Sequence, residues 1–179
     1  DLRYRLELFR KVCDGVAYAH SRNVIHLDLK PENIQVGSHG QVMICDWGLA
    51  RVLGQADTEK GQTTETELDA DLLTNATMTG TIKGTPGYLA PEQAAAEKKS
   101  TATDVYALGA ILFALLTGHP PVSGATTTES LRNTREGRID LHRARHLPKR
   151  LVSVARKALA CKPEDRYESA DALETEISR

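Results

Sequence analysis

The chain has 179 residues, in which 23 Lys and Arg stand against 24 Asp and Glu, for a formal net charge of −1. This length suits one domain with a single core, and the mixed charge gives none of the usual signs of a nucleic-acid or acidic-membrane partner. Three cysteines without a C-x-x-C spacing predict reduced thiols in a cytoplasmic protein, and no apolar run is long enough to span a membrane.

The first predicted elements are a helix and a short strand. Asn23 ends the helix, and Val24-Ile25 follows as the strand that leads into a polar segment. Apolar residues recur in the helix at steps of three and four, which gives it one buried face. They are Leu2, Leu6, Phe9, Val12, Cys13 and Val16, with His20 at the next step.

Residues 26–33, here named the polar loop, read His-Leu-Asp-Leu-Lys-Pro-Glu-Asn. Asp28 can accept a proton and Lys30 can hold an anion. Asn33 carries an amide oxygen, which is a suitable ligand for a hard cation. The polar loop therefore brings together the groups needed to position a charged substrate.

An antiparallel hairpin is predicted after the polar loop. The apolar runs Ile34–Val36 and Val42–Ile44 are joined by Gly37-Ser38-His39-Gly40, whose glycines permit a tight connection. Because such a pair returns the chain to where it started, Asp46 is expected near Asn33 as a second oxygen ligand. A base, a cation and two Mg²⁺ ligands are what phosphoryl transfer requires of a protein.

Residues 51–82 lack apolar periodicity, and this predicts a mobile polar loop. The stretch is rich in acidic residues and threonines. Thr77, Thr79 and Thr81 are candidate phosphorylation sites. The sequence favours equally the alternative that this stretch is a solvated polar loop without modification.

The second half of the chain predicts a series of helices. A central helix is apolar on all sides, as expected of a helix buried in the core, and Asp104 near its start suits capping. Basic residues at 143–150 predict a solvated surface, with docking of an acidic partner as the alternative. The predicted helices cover Pro91–Glu97, Thr103–Gly118, Glu129–Arg135, a stretch opened by Pro148, and Ala170–Ile177, which is capped by Ser169.

Five segments of the chain resemble the motifs of protein kinases, in that family's order. The polar loop resembles the catalytic loop, and Asp46-Trp47-Gly48 is similar to the D-F-G triplet, with Trp in place of Phe. Gly84–Glu92 resembles the end of an activation segment with its A-P-E triplet, and Asp104–Gly109 the start of the large buried helix. Lys162–Tyr167 resembles the late segment whose Arg pairs with the A-P-E Glu. The resemblance covers essentially the whole chain.

The details of these motifs point to one class within the family. Lys30, two residues after Asp28, is typical of Ser/Thr kinases. The sequence from Gly84 to Gln93 is most similar to that of the eukaryotic-type Ser/Thr kinases of bacteria. The implied fold is mainly α, the helical C-terminal lobe of a kinase with small β-hairpins. It would span residues 1–179, with the activation segment at about 46–92.

Two motifs of the family's smaller lobe are missing from the sequence. There is no G-x-G-x-x-G-x-V loop and no V-A-I-K strand, so we expect an isolated C-terminal lobe. ATP normally lies between two lobes, and these residues alone are expected to be catalytically silent. An apolar face near Leu2, Leu6 and Trp47 would then be exposed and could cause self-association.

The resemblance implies a chemical role for each residue of the site. Asp28 would orient and deprotonate a Ser or Thr hydroxyl of a protein substrate, and Lys30 would steady the transferred phosphoryl group. Asn33 and Asp46 would hold Mg²⁺, or Mn²⁺, against the phosphates of ATP. Thr85 would bridge Asp28 and Lys30 through its hydroxyl.

The resemblance also implies residues that support the site. His26 would anchor the loop backbone; its use as a base is the weaker alternative. Asp104 would reach back to hold the same backbone. Glu92 is expected to form a buried pair with Arg166, and a plain surface charge is the alternative.

Leu27 and Trp47 depart from the family's pattern. Leu27 replaces the Arg of H-R-D, which clamps a phosphate on the activation segment, so loop phosphorylation is expected to matter less here. Trp47 fills the slot of the D-F-G Phe but carries an indole N–H that needs a partner. Two rival functions remain: a non-catalytic pseudokinase or scaffold module, and a small-molecule phosphotransferase of related fold.

Overall fold

The computed structural model describes residues 1–54 and 86–179. Within these ranges the chain forms six α-helices, four short strands and several 3₁₀ turns. The helices are α1 (Leu2–Ser21), α2 (Pro91–Ala94), α3 (Thr101–Thr117), α4 (Thr127–Arg135), α5 (Lys149–Ala158) and α6 (Ala170–Ser178). The strands are β1 (Val24–Ile25), β2 (Ile34–Val36), β3 (Val42–Ile44) and β4 (Arg51–Val52). This content confirms the mainly α fold class predicted from the sequence.

Helix α3 forms the centre of the core. Every residue from 103 to 113 is buried, and α3 packs against α1, α5 and α6. The helix begins at Thr101, two residues before the predicted start, because Ser100 caps it: the Ser100 Oγ accepts the Ala102 N–H at 3.3 Å. Asp104 therefore does not cap the helix, and its carboxylate is available for other contacts.

Helix α1 confirms the first predicted element. Asp1 caps its first turn by accepting the Arg3 N–H at 3.0 Å. The helix ends at Ser21, and Asn23 follows with a φ of +60°, a left-handed conformation that Asn tolerates better than most residues. Its buried face consists of Phe9, Val12, Cys13, Val16 and Ala19.

Two small antiparallel sheets flank the polar loop. Strand β2 pairs with β3, and β1 pairs with β4. The turn between β2 and β3 covers residues 37–41, one residue more than predicted. The polar loop connects β1 to β2 and residues 46–48 lie between β3 and β4, so both segments connect one sheet to the other.

The remaining helices differ from the predicted ones mainly at their ends. Helix α2 stops at Ala94, α4 begins at Thr127 because Thr126 caps it, and Pro148 precedes α5 as its N-cap rather than opening it. On α5, Val154 is buried and Val152 only half-buried. Among the residues that the structure describes, no helix combines the length and apolar content that a bilayer crossing needs.

Candidate active site at the polar loop

Asp28 lies at the centre of a small polar cluster. Lys30 Nζ donates to Asp28 Oδ2 at 2.7 Å, and Asn33 Nδ2 donates to the same oxygen at 3.0 Å. Asn33 Nδ2 also donates to the Asp28 carbonyl at 2.8 Å, which ties the last residue of the polar loop to its third residue. The Asp28 and Lys30 side chains are 19% and 13% exposed, so both groups can be reached from solvent.

The hairpin brings Asp46 back toward Asn33. Strands β2 and β3 pair Ile34 with Ile44, and the Cys45 N–H donates to the Asn33 carbonyl at 2.8 Å. Asp46 follows directly, with a φ of +59°. A side chain at Gly48 would lie 3.3 Å from Asp46 Oδ1, so glycine leaves room around that carboxylate.

The donor set near the hairpin suits a divalent cation that is shared with phosphates. Asn33 uses its amide nitrogen on Asp28, so its Oδ1 is the atom that can ligate a cation. Asp46 is exposed and adds one carboxylate. In the part of the chain that the structure describes, no cluster of three or more His, Cys, Asp and Glu side chains is placed for a metal. Amide and carboxylate oxygens, such as those of Asn33 and Asp46, are ligands that Mg²⁺ accepts.

His26 is fixed by hydrogen bonds to the backbone. Its Nδ1 accepts the Asp28 N–H at 3.2 Å, and its Nε2 then donates to the Cys45 carbonyl at 3.1 Å. The side chain is buried. Since both ring nitrogens are engaged by main-chain groups, the geometry favours an anchor over a base.

Asp104 connects the polar loop to the core helix α3. Its Oδ2 accepts the His26 N–H at 2.8 Å and its Oδ1 accepts the Leu27 N–H at 2.9 Å. His20 Nε2 lies 2.8 Å from Oδ2 as a third partner. The carboxylate is buried. Its two oxygens hold two successive peptide N–H groups by charge-assisted hydrogen bonds.

Glu92 and Arg166 form a buried bidentate ion pair. Arg166 Nη1 and Nη2 donate to the two Glu92 oxygens, each at 2.7 Å, and the Thr103 hydroxyl donates to Oε1 at 2.9 Å. Burial by itself would raise the Glu92 pKa, but the hydrogen bonds and charge of Arg166 hold it below its ordinary value. This pair links the start of α2 to the segment before α6.

Trp47 finds the hydrogen-bond partner that its indole requires. Its Nε1 donates to the Ile44 carbonyl at 2.9 Å, and its ring lies 4.5 Å from the His26 ring. The side chain remains 39% exposed. Trp47 therefore packs beside the anchor of the polar loop while part of it faces solvent.

Two residues near the site were not predicted from the sequence. His20 was assigned only to the helix face, although it contacts Asp104. Gln93 was given no side-chain role, although its Nε2 donates to the Leu27 carbonyl at 2.8 Å. The one local signal for Gln93 is its place three residues after Ala90, where a Gln can turn back to bond the helix start. Thr85, Thr77, Thr79 and Thr81 lie outside the described residues.

Comparisons with known proteins match nearly the whole chain. The protein kinase domain family matches residues 3–177. A serine/threonine-protein kinase PknD of Protochlamydia amoebophila is 38% identical over 176 residues, which is 96% of this chain and 18% of that protein. Proteins of the same name from Chlamydia caviae and Chlamydia trachomatis are each 37% identical, over 97% and 94% of this chain and 19% and 18% of theirs. The chain thus spans about a fifth of the length of these curated relatives.

Proposed function

The chain belongs to the protein kinase family, and we propose that it carries the catalytic residues of a serine/threonine kinase. The reaction is transfer of the ATP γ-phosphoryl group to a Ser or Thr hydroxyl of a protein substrate. The observation that carries this proposal is the contact of Asp28 with Lys30 and Asn33, in a loop held by Asp104 and followed by a hairpin that returns at Asp46. The names of the PknD relatives support the Ser/Thr assignment.

Each residue of the cluster has a distinct task in this proposal. Asp28 orients the substrate hydroxyl and accepts its proton, while Lys30 presents a positive charge to the phosphoryl group in transfer. Asn33 holds Asp28 in place through its amide nitrogen and offers Oδ1 to Mg²⁺, together with the Asp46 carboxylate. Bound Mg²⁺ neutralises the phosphate charge of ATP. The Thr85 hydroxyl is proposed to bridge Asp28 and Lys30.

We further propose that residues 1–179 form the C-terminal lobe of the kinase domain, with the activation segment at about 46–92. The sequence contains neither the Gly-rich loop nor the V-A-I-K lysine of the smaller lobe. Since those parts cover and position ATP, the chain by itself is proposed to be catalytically silent. Its three cysteines are free, which supports a reducing compartment such as the cytoplasm.

A magnesium titration of the kinase reaction tests the proposed function. The full-length protein, its Asp46→Asn variant and an Asp140→Asn control are compared with ATP and a mixture of Ser/Thr peptides at increasing Mg²⁺. Asp140 is a matched control because, among the described residues, its carboxylate pairs with Arg143 on the surface and takes no part in the site. Asp46→Asn is expected to lower the rate at limiting Mg²⁺ by on the order of 10-fold or more. Transfer that needs no divalent cation, or an Asp46→Asn protein as active as the control, contradicts the proposal. Absence of transfer by the unmodified protein favours the binding-module alternative.

A further inference from the structure

The peptide group between Leu27 and Asp28 is held from both sides. Its N–H, on Asp28, donates to His26 Nδ1 at 3.2 Å. Its carbonyl, on Leu27, accepts from Gln93 Nε2 at 2.8 Å. Gln93 is itself fixed, because its Oε1 accepts the Ala90 N–H at 3.1 Å. One side-chain amide therefore connects the start of α2 to the peptide group that carries Asp28.

Leu27 occupies a backbone conformation that needs such support. Its φ is +66°, in the left-handed region that an L-residue with a Cβ adopts only at an energetic cost. Its N–H is held by Asp104 at 2.9 Å, and its side chain is buried. A residue strained in this way can relax by rotating the peptide that follows it, unless the carbonyl of that peptide is fixed. In this chain the group that fixes the carbonyl is Gln93.

We infer that Gln93 is a positioning residue for catalysis, which sets the direction of the Asp28 carboxylate by holding the Leu27 carbonyl. The inference rests on the proposed function, since it assumes that Asp28 acts on the substrate hydroxyl. Rotation of the Leu27–Asp28 peptide would move the Asp28 Cα–Cβ bond and with it the carboxylate. An error of this kind in the reacting geometry lowers the rate of the chemical step.

The same contact connects the polar loop to the segment that follows residue 85. Ala90 is fully buried, and the next residues of α2 include Glu92, which is fixed by Arg166. Gln93 lies between this rigid anchor and Leu27. The position of α2 is thus transmitted to Asp28 through the Gln93 side chain.

The test uses two substitutions that remove the donor to Leu27 in different ways. Gln93→Glu keeps an acceptor for the Ala90 N–H but loses the N–H group that reaches the Leu27 carbonyl. Gln93→Met keeps the length of the side chain and loses both bonds. Gln41→Glu is the matched control: the Gln41 Oε1 also accepts a backbone N–H, that of His39 at 3.1 Å, but it lies exposed in the β2–β3 turn.

Steady-state kinetics of the full-length protein, with ATP and a mixture of Ser/Thr peptides, provide the readout. Both Gln93 variants are expected to lower kcat by on the order of 10-fold or more, while KM for ATP stays within about twofold. The melting temperature is measured for each variant, because a purely structural role would lower that temperature and leave kcat per folded molecule unchanged. Asp28→Asn is assayed in parallel.

The outcomes separate this inference from the proposed function. The positioning role is supported by three results together. Transfer depends on Asp28, kcat falls in both Gln93 variants, and kcat does not fall in Gln41→Glu. Asp28-dependent transfer with an unchanged kcat in Gln93→Glu overturns it. A kcat loss that only follows the fraction of unfolded protein also overturns it. If Asp28→Asn has no effect on transfer, the proposed function itself fails.

Discussion

Glu92 is a buried charge whose protonation changes the stability of the fold. Its pKa is held below the ordinary value by Arg166, against the effect of burial. A carboxyl with a lowered pKa in the folded state stabilises the protein above its unfolded pKa of about 4.3, and this contribution is lost as the pH falls through the folded pKa. Arg166 would remain buried whether or not Glu92 carries its charge.

Glu92→Gln is therefore expected to destabilise the protein at neutral pH by about 3 kcal/mol, because it leaves the Arg166 charge without its buried counter-ion. The difference from the unmodified protein should shrink as the pH falls from the unfolded pKa through the lower folded pKa, where Glu92 becomes protonated. Urea unfolding of both proteins at several pH values measures this difference in the free energy of unfolding. A difference that stays constant between neutral and acidic pH would show that the Glu92 charge contributes nothing.

Residues in the polar loop could be predicted because their neighbours are close in sequence. Asp28, Lys30 and Asn33 lie within six positions of one another, and the hairpin pattern predicts the return to Asp46. His20 and Gln93 could not be found in this way. They reach Asp104 and Leu27 across 84 and 66 positions, and no local pattern specifies which distant group a polar side chain meets.

Helices α3 and α5 approach each other closely at Gly109. A Cβ at this position would lie 2.6 Å from the Ala158 Cβ and 3.2 Å from the Ala158 carbonyl carbon. Gly→Ala inside a helix normally stabilises it by about 0.5–1 kcal/mol. Here the added methyl group has to push two core helices apart, because the atoms it meets cannot move independently of α5.

Gly109→Ala is expected to lower the free energy of unfolding by about 1–3 kcal/mol. Gly15→Ala in α1 is the matched control, since the atom nearest to its added Cβ is Ile44 Cδ1 at 2.9 Å, the end of a flexible side chain. That substitution should be close to neutral. Equal stability of the two variants in urea unfolding would mean that α3 and α5 are not tightly packed at Gly109.

Element ends were less predictable than element types. The repeat of apolar residues at steps of three and four predicts α1, and the nearly continuous apolar run predicts α3 as a buried helix. The sequence predicts the start of α3 at Thr103, whereas Ser100 caps the helix and frees Asp104 for the polar loop. Two residues able to cap lie close together there, and only the tertiary contact of Asp104 decides between them.

The described part of the molecule carries several large apolar side chains on its surface. Leu2 and Trp47 are exposed as expected, although Leu6 is half-buried. Others lie on the hairpin and on the segment after Asp46: Val36, Met43, Leu49 and Val52. We propose that these side chains cause the chain to self-associate when it is expressed alone.

Light scattering on residues 1–179 should accordingly give a molar mass that rises above the monomer value with concentration. A Met43→Lys, Leu49→Lys double variant should reduce that rise, because it places charges within the exposed apolar surface. A monomer mass for the unmodified chain at all concentrations would argue against self-association.

We propose that Asp28 acts as the base of a phosphoryl transfer to Ser or Thr. The most direct test of this claim is the rate of transfer from ATP to Ser/Thr peptides by the full-length protein and its Asp28→Asn variant. Asp14→Asn, a change of an exposed Asp on α1, is the control. Because a positioned base is lost, we expect Asp28→Asn to lower the rate by about 100-fold or more and Asp14→Asn to leave the rate unchanged. An Asp28→Asn protein that transfers phosphate as fast as the control would contradict the claim.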